Sequence, residues 1–159
     1  MALLIGTPFP SLDGATEWLN DAFDRSAYDG SCVFVQFWSL SCPACKANVP
    51  NVLQLIQDYR NIGLRLLSIH MPRGPFETDT KKVSDAIDAL GIAGPCAVDN
   101  EHILGRRFEM SRSWPSYFLF DANGRLRSRA PGPLGLKVAR NSLKRMAVDH
   151  SVVGNQAVV

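Results

Sequence analysis

Val33-Phe34-Val35-Gln36-Phe37-Trp38-Ser39-Leu40-Ser41-Cys42-Pro43-Ala44-Cys45-Lys46 joins a run of β-branched and aromatic residues to a pair of cysteines. The run is short, apolar and bounded by turn formers, so it reads as a buried strand over 32–38. From Pro43 a helical pattern begins, so both cysteines sit at a helix start. A helix N-terminus presents unpaired N–H groups and a partial positive charge, which favour a thiolate. The thiolate is the attacking form of cysteine, so this placement governs reactivity. The second cysteine, one turn further on, is within reach to close a disulfide once the first has attacked. Two cysteines spaced Cys-x-x-Cys beside βαβ signals read as a redox dithiol.

Outward from this stretch the chain alternates. Val49, Val52, Leu53, Leu55, Ile56 and Tyr59 form an apolar stripe through Pro50, and Asn61-Ile62-Gly63 ends that helix. Leu64–His70 is the next strand, closed by Met71-Pro72, and residues 73–79 read as a loop. Asp79 or Thr80 caps a helix over 80–90 that Gly91 terminates. A short inner strand over 95–98 follows, then a brief helix through Phe108 capped by Asp99 or Asn100. Residues 116–120 and 125–129 form a hairpin about Asp121-Ala122-Asn123-Gly124. A final helix covers 135–148, its basic side (Lys137, Arg140, Lys144, Arg145) a solvated face, and residues 151–159 are expected to fray. Residues 3–31 read as an irregular segment, with room for short strands, covering one side of the core. The expected fold is α/β: a central mixed sheet with helices on both faces plus an N-terminal extension, in one domain over residues 1–159.

The 159 residues are 46% hydrophobic and 20% charged, ordinary values for a globular chain. A net charge of +2 argues against nucleic acid or an anionic membrane as partner. No apolar run approaches the roughly 20 residues of a membrane span. Met1–Gly6 lacks the basic region and apolar length of a secretory signal, so the cytoplasm is the expected location. Four cysteines with a single close pair do not make a disulfide scaffold. Cys32 and Cys96 read as small buried hydrophobes.

Phe37-Trp38-Ser39-Leu40-Ser41-Cys42-Pro43-Ala44-Cys45-Lys46, Pro50, and Pro115-Ser116-Tyr117-Phe118-Leu119-Phe120-Asp121-Ala122-Asn123-Gly124-Arg125-Leu126 resemble the thioredoxin-like thiol-disulfide oxidoreductases, in their ResA/TlpA branch. His70-Met71-Pro72-Arg73, with the Trp18-Leu19-Asn20 region, is most similar to the YkuV-type stand-alone members. The resemblance covers about residues 5–148 and implies the thioredoxin-like fold. It also implies a protein disulfide reductase: Cys42 attacks a substrate disulfide and Cys45 resolves the mixed disulfide. It makes Pro115 a cis-proline facing the disulfide. The preceding residue, Trp114, then borders an extended substrate chain, either as a lid over Cys42 or as a surface aromatic packed on the proline ring. Trp38, Ser41, Pro43 and His70 are the supporting residues. Protein disulfides are the expected partners, with an electron donor such as a thioredoxin reductase-type system. The expected state is a monomer without a cofactor or a bound metal.

Three departures matter. Thioredoxins carry a buried Asp where Gln36 stands, and ResA-like proteins carry a Glu where Asn48 stands, so neither familiar proton acceptor for Cys45 is present. Thioredoxin's second Trp, directly before the first cysteine, is Ser41. Pro43 removes one N–H and leaves those of Ala44 and Cys45 to meet the thiolate. The expectation is a Cys42 pKa moderately below ~8.5 and, by analogy, a potential of about −200 to −270 mV. His70 either tunes the thiols or hydrogen-bonds at the strand end, the second being its commoner use.

Two alternatives stand beside this reading. A peroxiredoxin-like thiol peroxidase needs a Thr three residues before the attacking cysteine and a Pro further upstream, where Ser39 and Val35 stand. A metal carrier would use Cys42, Cys45 and His70, but a tetrahedral zinc site usually takes four ligands and no second cysteine pair exists.

Overall fold

β2 (Val33–Trp38) is buried at every position because it lies at the centre of the sheet and both its faces are covered. The computed structural model describes residues 2–156. In chain order its elements are β1 (Glu17–Leu19), β2, α1 (Pro43–Asp58), β3 (Arg65–His70), α2 (Thr80–Leu90), β4 (Cys96–Val98), α3 (Ile103–Arg107), β5 (Ser116–Phe120), β6 (Leu126–Pro131) and α4 (Gly135–Gln156). The six strands run in the order β1-β4-β3-β2-β5-β6. β2, β3 and β4 are parallel; β1, β5 and β6 pair antiparallel with their neighbours.

The pleat of β2 divides the core. Phe34 and Trp38 face a cluster with Val49, Val52 and Leu55 of α1, Val83 and Ile87 of α2, and Leu136, Ala139 and Leu143 of α4. Val33, Val35 and Phe37 face the opposite cluster, built with Leu104 and Phe108 around α3. Helices therefore lie on both sheet faces. The N-terminal extension finishes the second cluster: Phe9, Leu12, Trp18 and Phe23 pack against it. This extension also guards both sheet edges, which otherwise expose unpaired strand groups. Thr7 and Gly6 bond to Leu126 beside β6, and β1 pairs with β4.

Local signals set the helix ends. Asp79 accepts from the Lys81 N–H at the start of α2, and Gly91 ends it in the left-handed region at φ 71°. The N-cap position of α3 is His102, without a side-chain cap; Asp99, from before it, accepts from the first-turn N–H groups of Leu104 and Gly105. Two expectations change. Residues 73–79 contain a 3-10 turn, Pro75–Glu77, rather than plain loop. The last helix extends to Gln156, beyond the expected end at 148; the fraying expected to residue 159 lies, for residues 157–159, outside the described residues.

Candidate active site

The strand registers assemble the site. Trp38 at the end of β2 lies opposite His70 at the end of β3, and Phe37 lies opposite Ser116 at the start of β5. Because β5 runs antiparallel to its neighbour, its beginning meets the carboxyl ends of β2 and β3. Open α/β sheets gather their sites outside those ends. Three segments converge there: Ser39–Cys45, Met71–Glu77 and Trp114–Pro115.

Cys42 is the N-cap of α1 and Pro43 its first residue, a position where a missing N–H is harmless. Cys42 and Cys45 are disulfide-bonded, with Cα atoms 5.3 Å apart. The Cys45 N–H donates to Cys42 Sγ at 3.1 Å. One of the two amides expected to meet the Cys42 sulfur thus does so.

Both cysteines are buried in the oxidised form: Cys42 is 2% exposed and Cys45 3%. Segments distant in sequence converge on the residues around the pair. The Trp114–Pro115 peptide is cis, and the Trp114 ring packs against the cluster that contains both cysteines. Its indole N–H donates to the Met71 carbonyl at 2.9 Å. The Arg73 guanidinium lies 5.6 Å from the centre of that ring, and its Nη1 donates to the Ser41 carbonyl at 3.1 Å. Trp114 is therefore a tethered side chain, held between two loops.

Beneath the cysteines the polar groups are neutral. Gln36 Nε2 donates to Ser68 Oγ at 2.8 Å in the core. Asn48 Nδ2 donates to the Tyr117 hydroxyl at 2.8 Å. His70 is fully buried, and its Nε2 accepts the Leu40 N–H at 3.3 Å. Burial pulls its pKa down to about 4, against the opposing pull of Glu77. Neutral imidazole at pH 7 fits the hydrogen-bonding use of this residue, holding the loop ahead of Cys42. Trp38 packs edge-on to the imidazole, with ring centres 4.9 Å apart. Ser41 and Pro43 are exposed. Cys32 and Cys96 are free and buried, and burial pushes the Cys96 thiol up to about 12. Among the described residues no three His, Cys, Asp or Glu side chains form a set that could hold a metal.

Glu77 escapes a reading of the sequence. It is 1% exposed and accepts from two backbone amides, those of Ser41 and, at 2.7 Å, Arg73. Burial alone would raise its carboxyl pKa. The Arg73 amide, the Ser41 contacts and nearby His70 outweigh burial and hold it below the usual range. A loop glutamate defaults to solvent; the one available hint was its place on a Pro-initiated turn between His70 and the capped start of α2.

Comparison with known proteins agrees with this geometry. The AhpC/TSA family model matches residues 5–129. The chain is 32% identical to the thiol-disulfide oxidoreductase YkuV of Bacillus subtilis over 143 residues, which is 89% of this chain and 95% of that protein. It is 34% identical over 122 residues, 74% of this chain, to protein DipZ of Mycobacterium bovis, of which the match spans 17%. The solution structure of a thioredoxin-like protein in its oxidised form superposes with a TM-score of 0.79 at 31% identity, covering 91% of this chain and 97% of that one.

Proposed function

The chain belongs to the AhpC/TSA family and is a thiol-disulfide oxidoreductase, and we propose that it works as a reductant of protein disulfides through Cys42 and Cys45. The Cys42 thiolate attacks one sulfur of a substrate disulfide, forming a mixed disulfide and releasing one substrate thiolate. The Cys45 thiolate then attacks Cys42 Sγ and releases the second substrate thiolate. The substrate gains two electrons, and the protein is left with the disulfide described above. A dithiol donor of the kind maintained by thioredoxin reductase-type systems returns the pair to its reduced form.

The observation that carries this assignment is the Cys45 amide directed at Cys42 Sγ. A sulfur at the start of a helix, met by a backbone N–H, is the better leaving and attacking group of the two. Substrate seats beside Trp114 and Pro115, after the tethered indole moves from the disulfide. A monomer in a reducing compartment such as the cytoplasm suits two further cysteines that stay buried and unpaired.

The test is reduction of insulin by dithiothreitol with catalytic protein. Wild type is expected to accelerate it, Cys42→Ser to abolish the acceleration, and Cys45→Ser to accumulate a mixed disulfide. Acceleration surviving in Cys42→Ser would contradict the roles. The family match leaves a peroxidase as the second reading. Rapid hydrogen-peroxide-dependent loss of the Cys42 thiol, with no insulin reduction, would favour it.

A further inference from the structure

Glu77 is a buried carboxylate to which, among the described residues, no cation is bonded. Among the described residues the ion pairs are Lys81–Asp85, Arg127–Asp121 and Arg140–Asp58. Arg73 is close in sequence, yet its guanidinium turns to the Ser41 carbonyl and the Trp114 ring. The negative charge is compensated by two backbone amides, an arrangement that tolerates an anion but does not cancel its field. The other titratable group set against it is His70 of β3, which burial keeps neutral at pH 7. The first charged residue of α1, Lys46, is exposed.

One of those amides belongs to Ser41, immediately before Cys42. The start of α1 therefore serves two anions: the Ser41 N–H goes to Glu77 and the Cys45 N–H to Cys42 Sγ. While the disulfide is closed, only the carboxylate is charged. When it opens, a thiolate forms beside an existing negative charge, and like charges disfavour one another. A neutral amide or hydroxyl at position 77 would hold the loop without that effect, so the charge itself has a consequence.

We propose that Glu77 is a positioning residue of the redox site whose fixed negative charge opposes the Cys42 thiolate and so keeps the Cys42–Cys45 pair reducing. This rests on the reading of that pair as the exchanging dithiol. It supplies a means of setting the redox balance in a chain that carries Gln36 and Asn48 where related proteins carry acids. A less stabilised thiolate makes the reduced form less favoured relative to the disulfide, the opposite of the device that makes DsbA a strong oxidant.

The experiment compares wild type, Glu77→Gln and Glu77→Asp as full chains. For each, the pH dependence of Cys42 alkylation by iodoacetamide and the equilibrium with glutathione are measured. In E77Q the Cys42 pKa is expected to fall by roughly half to one unit, with the glutathione equilibrium moving about threefold to tenfold toward the reduced protein. E77D, which keeps the charge, is expected to stay near wild type in both. A merely structural role predicts a different pattern, because a loosened helix start stabilises the thiolate less. An unchanged or higher pKa in folded E77Q, or an equal fall in E77D, would overturn the inference. If E77Q does not fold, Glu77→Ser takes its place under the same criteria. If wild type exchanges with glutathione and the variants do not shift, this inference alone falls; if wild type does not exchange at all, both fall.

Discussion

The indole N–H of Trp114 donates to the backbone carbonyl of Met71 at 2.9 Å, joining the residue before the cis-proline to the segment that follows β3. With Arg73 bonded to Ser41, this contact closes a ring of loops around a disulfide whose first cysteine is 2% exposed. Trp114→Phe keeps most of the ring and deletes the N–H. The expected loss of stability is about 0.5–1.5 kcal/mol, read from urea unfolding of the oxidised protein. If local opening limits access, a change of that size makes the open form about fivefold more populated, and dithiothreitol should reduce the disulfide faster by a similar factor. An unchanged reduction rate would show that the indole tether does not restrict the sulfurs.

His70 makes stability depend on pH. Its folded pKa of about 4 lies below the ordinary 6.5, so the unfolded chain binds the proton first. The contribution is whole above pH 6.5 and is lost as pH falls toward 4. Across that range it amounts to roughly 3 kcal/mol at about 1.36 kcal/mol per unit. Glu77 is held low by its hydrogen bonds whereas burial raises Asp99, so it is the comparison with a variant lacking the imidazole, in which Asp99 is unchanged, that isolates His70. Urea midpoints should fall from pH 7 to 5 in wild type and much less in His70→Gln. Equal slopes would remove His70 as the source.

Cys32 and Cys96 should be chemically silent. All four cysteines are buried, but Cys32 and Cys96 lie away from the helix start that favours a thiolate at Cys42, burial raises both thiols, and Cys96 lies at about 12. Iodoacetamide at pH 8 should modify reduced native protein at Cys42 and Cys45 alone, with the other two reacting after addition of denaturant. Mass spectrometry of the peptides decides this, and a native adduct on Cys96 would contradict its buried placement.

The face covered by the N-terminal extension depends on Phe108. This ring is fully buried and meets Phe9 and Phe37 with centres 6.0 and 5.2 Å away, and Phe118 at 5.3 Å. Phe108→Ala should destabilise the fold by about 3–5 kcal/mol, and Phe108→Leu by much less. Denaturant midpoints measure both; a loss under about 1 kcal/mol in the alanine variant would mean that the extension does not rest on this cluster.

The central strands, the capped α2 and the cysteine pair are legible in the sequence because local chemistry dictates them. Val33–Trp38 reads as a strand through its uninterrupted apolar run, and Asp79 and Gly91 bracket a helix through capping and a left-handed φ. The pairing of Glu17–Leu19 with β4 is not legible, since three residues at a sheet edge take their partner from the tertiary fold. The Arg73–Trp114 contact escapes for the same reason: it needs two separate loops brought together. Glu77 escapes because only its two amide partners explain a carboxylate in the interior. His70 was visible as a candidate, but its neutral form and its bond to Leu40 follow from burial rather than from residue type.

The account rests on the Cys42–Cys45 pair being a reversible, reducing dithiol. Its equilibrium with glutathione across a series of redox buffers measures that directly, with Cys42→Ser as control. A single two-electron transition at about −200 to −270 mV is the result expected. A value near the ~−120 mV of DsbA, or a pair that does not open and close reversibly, would contradict it.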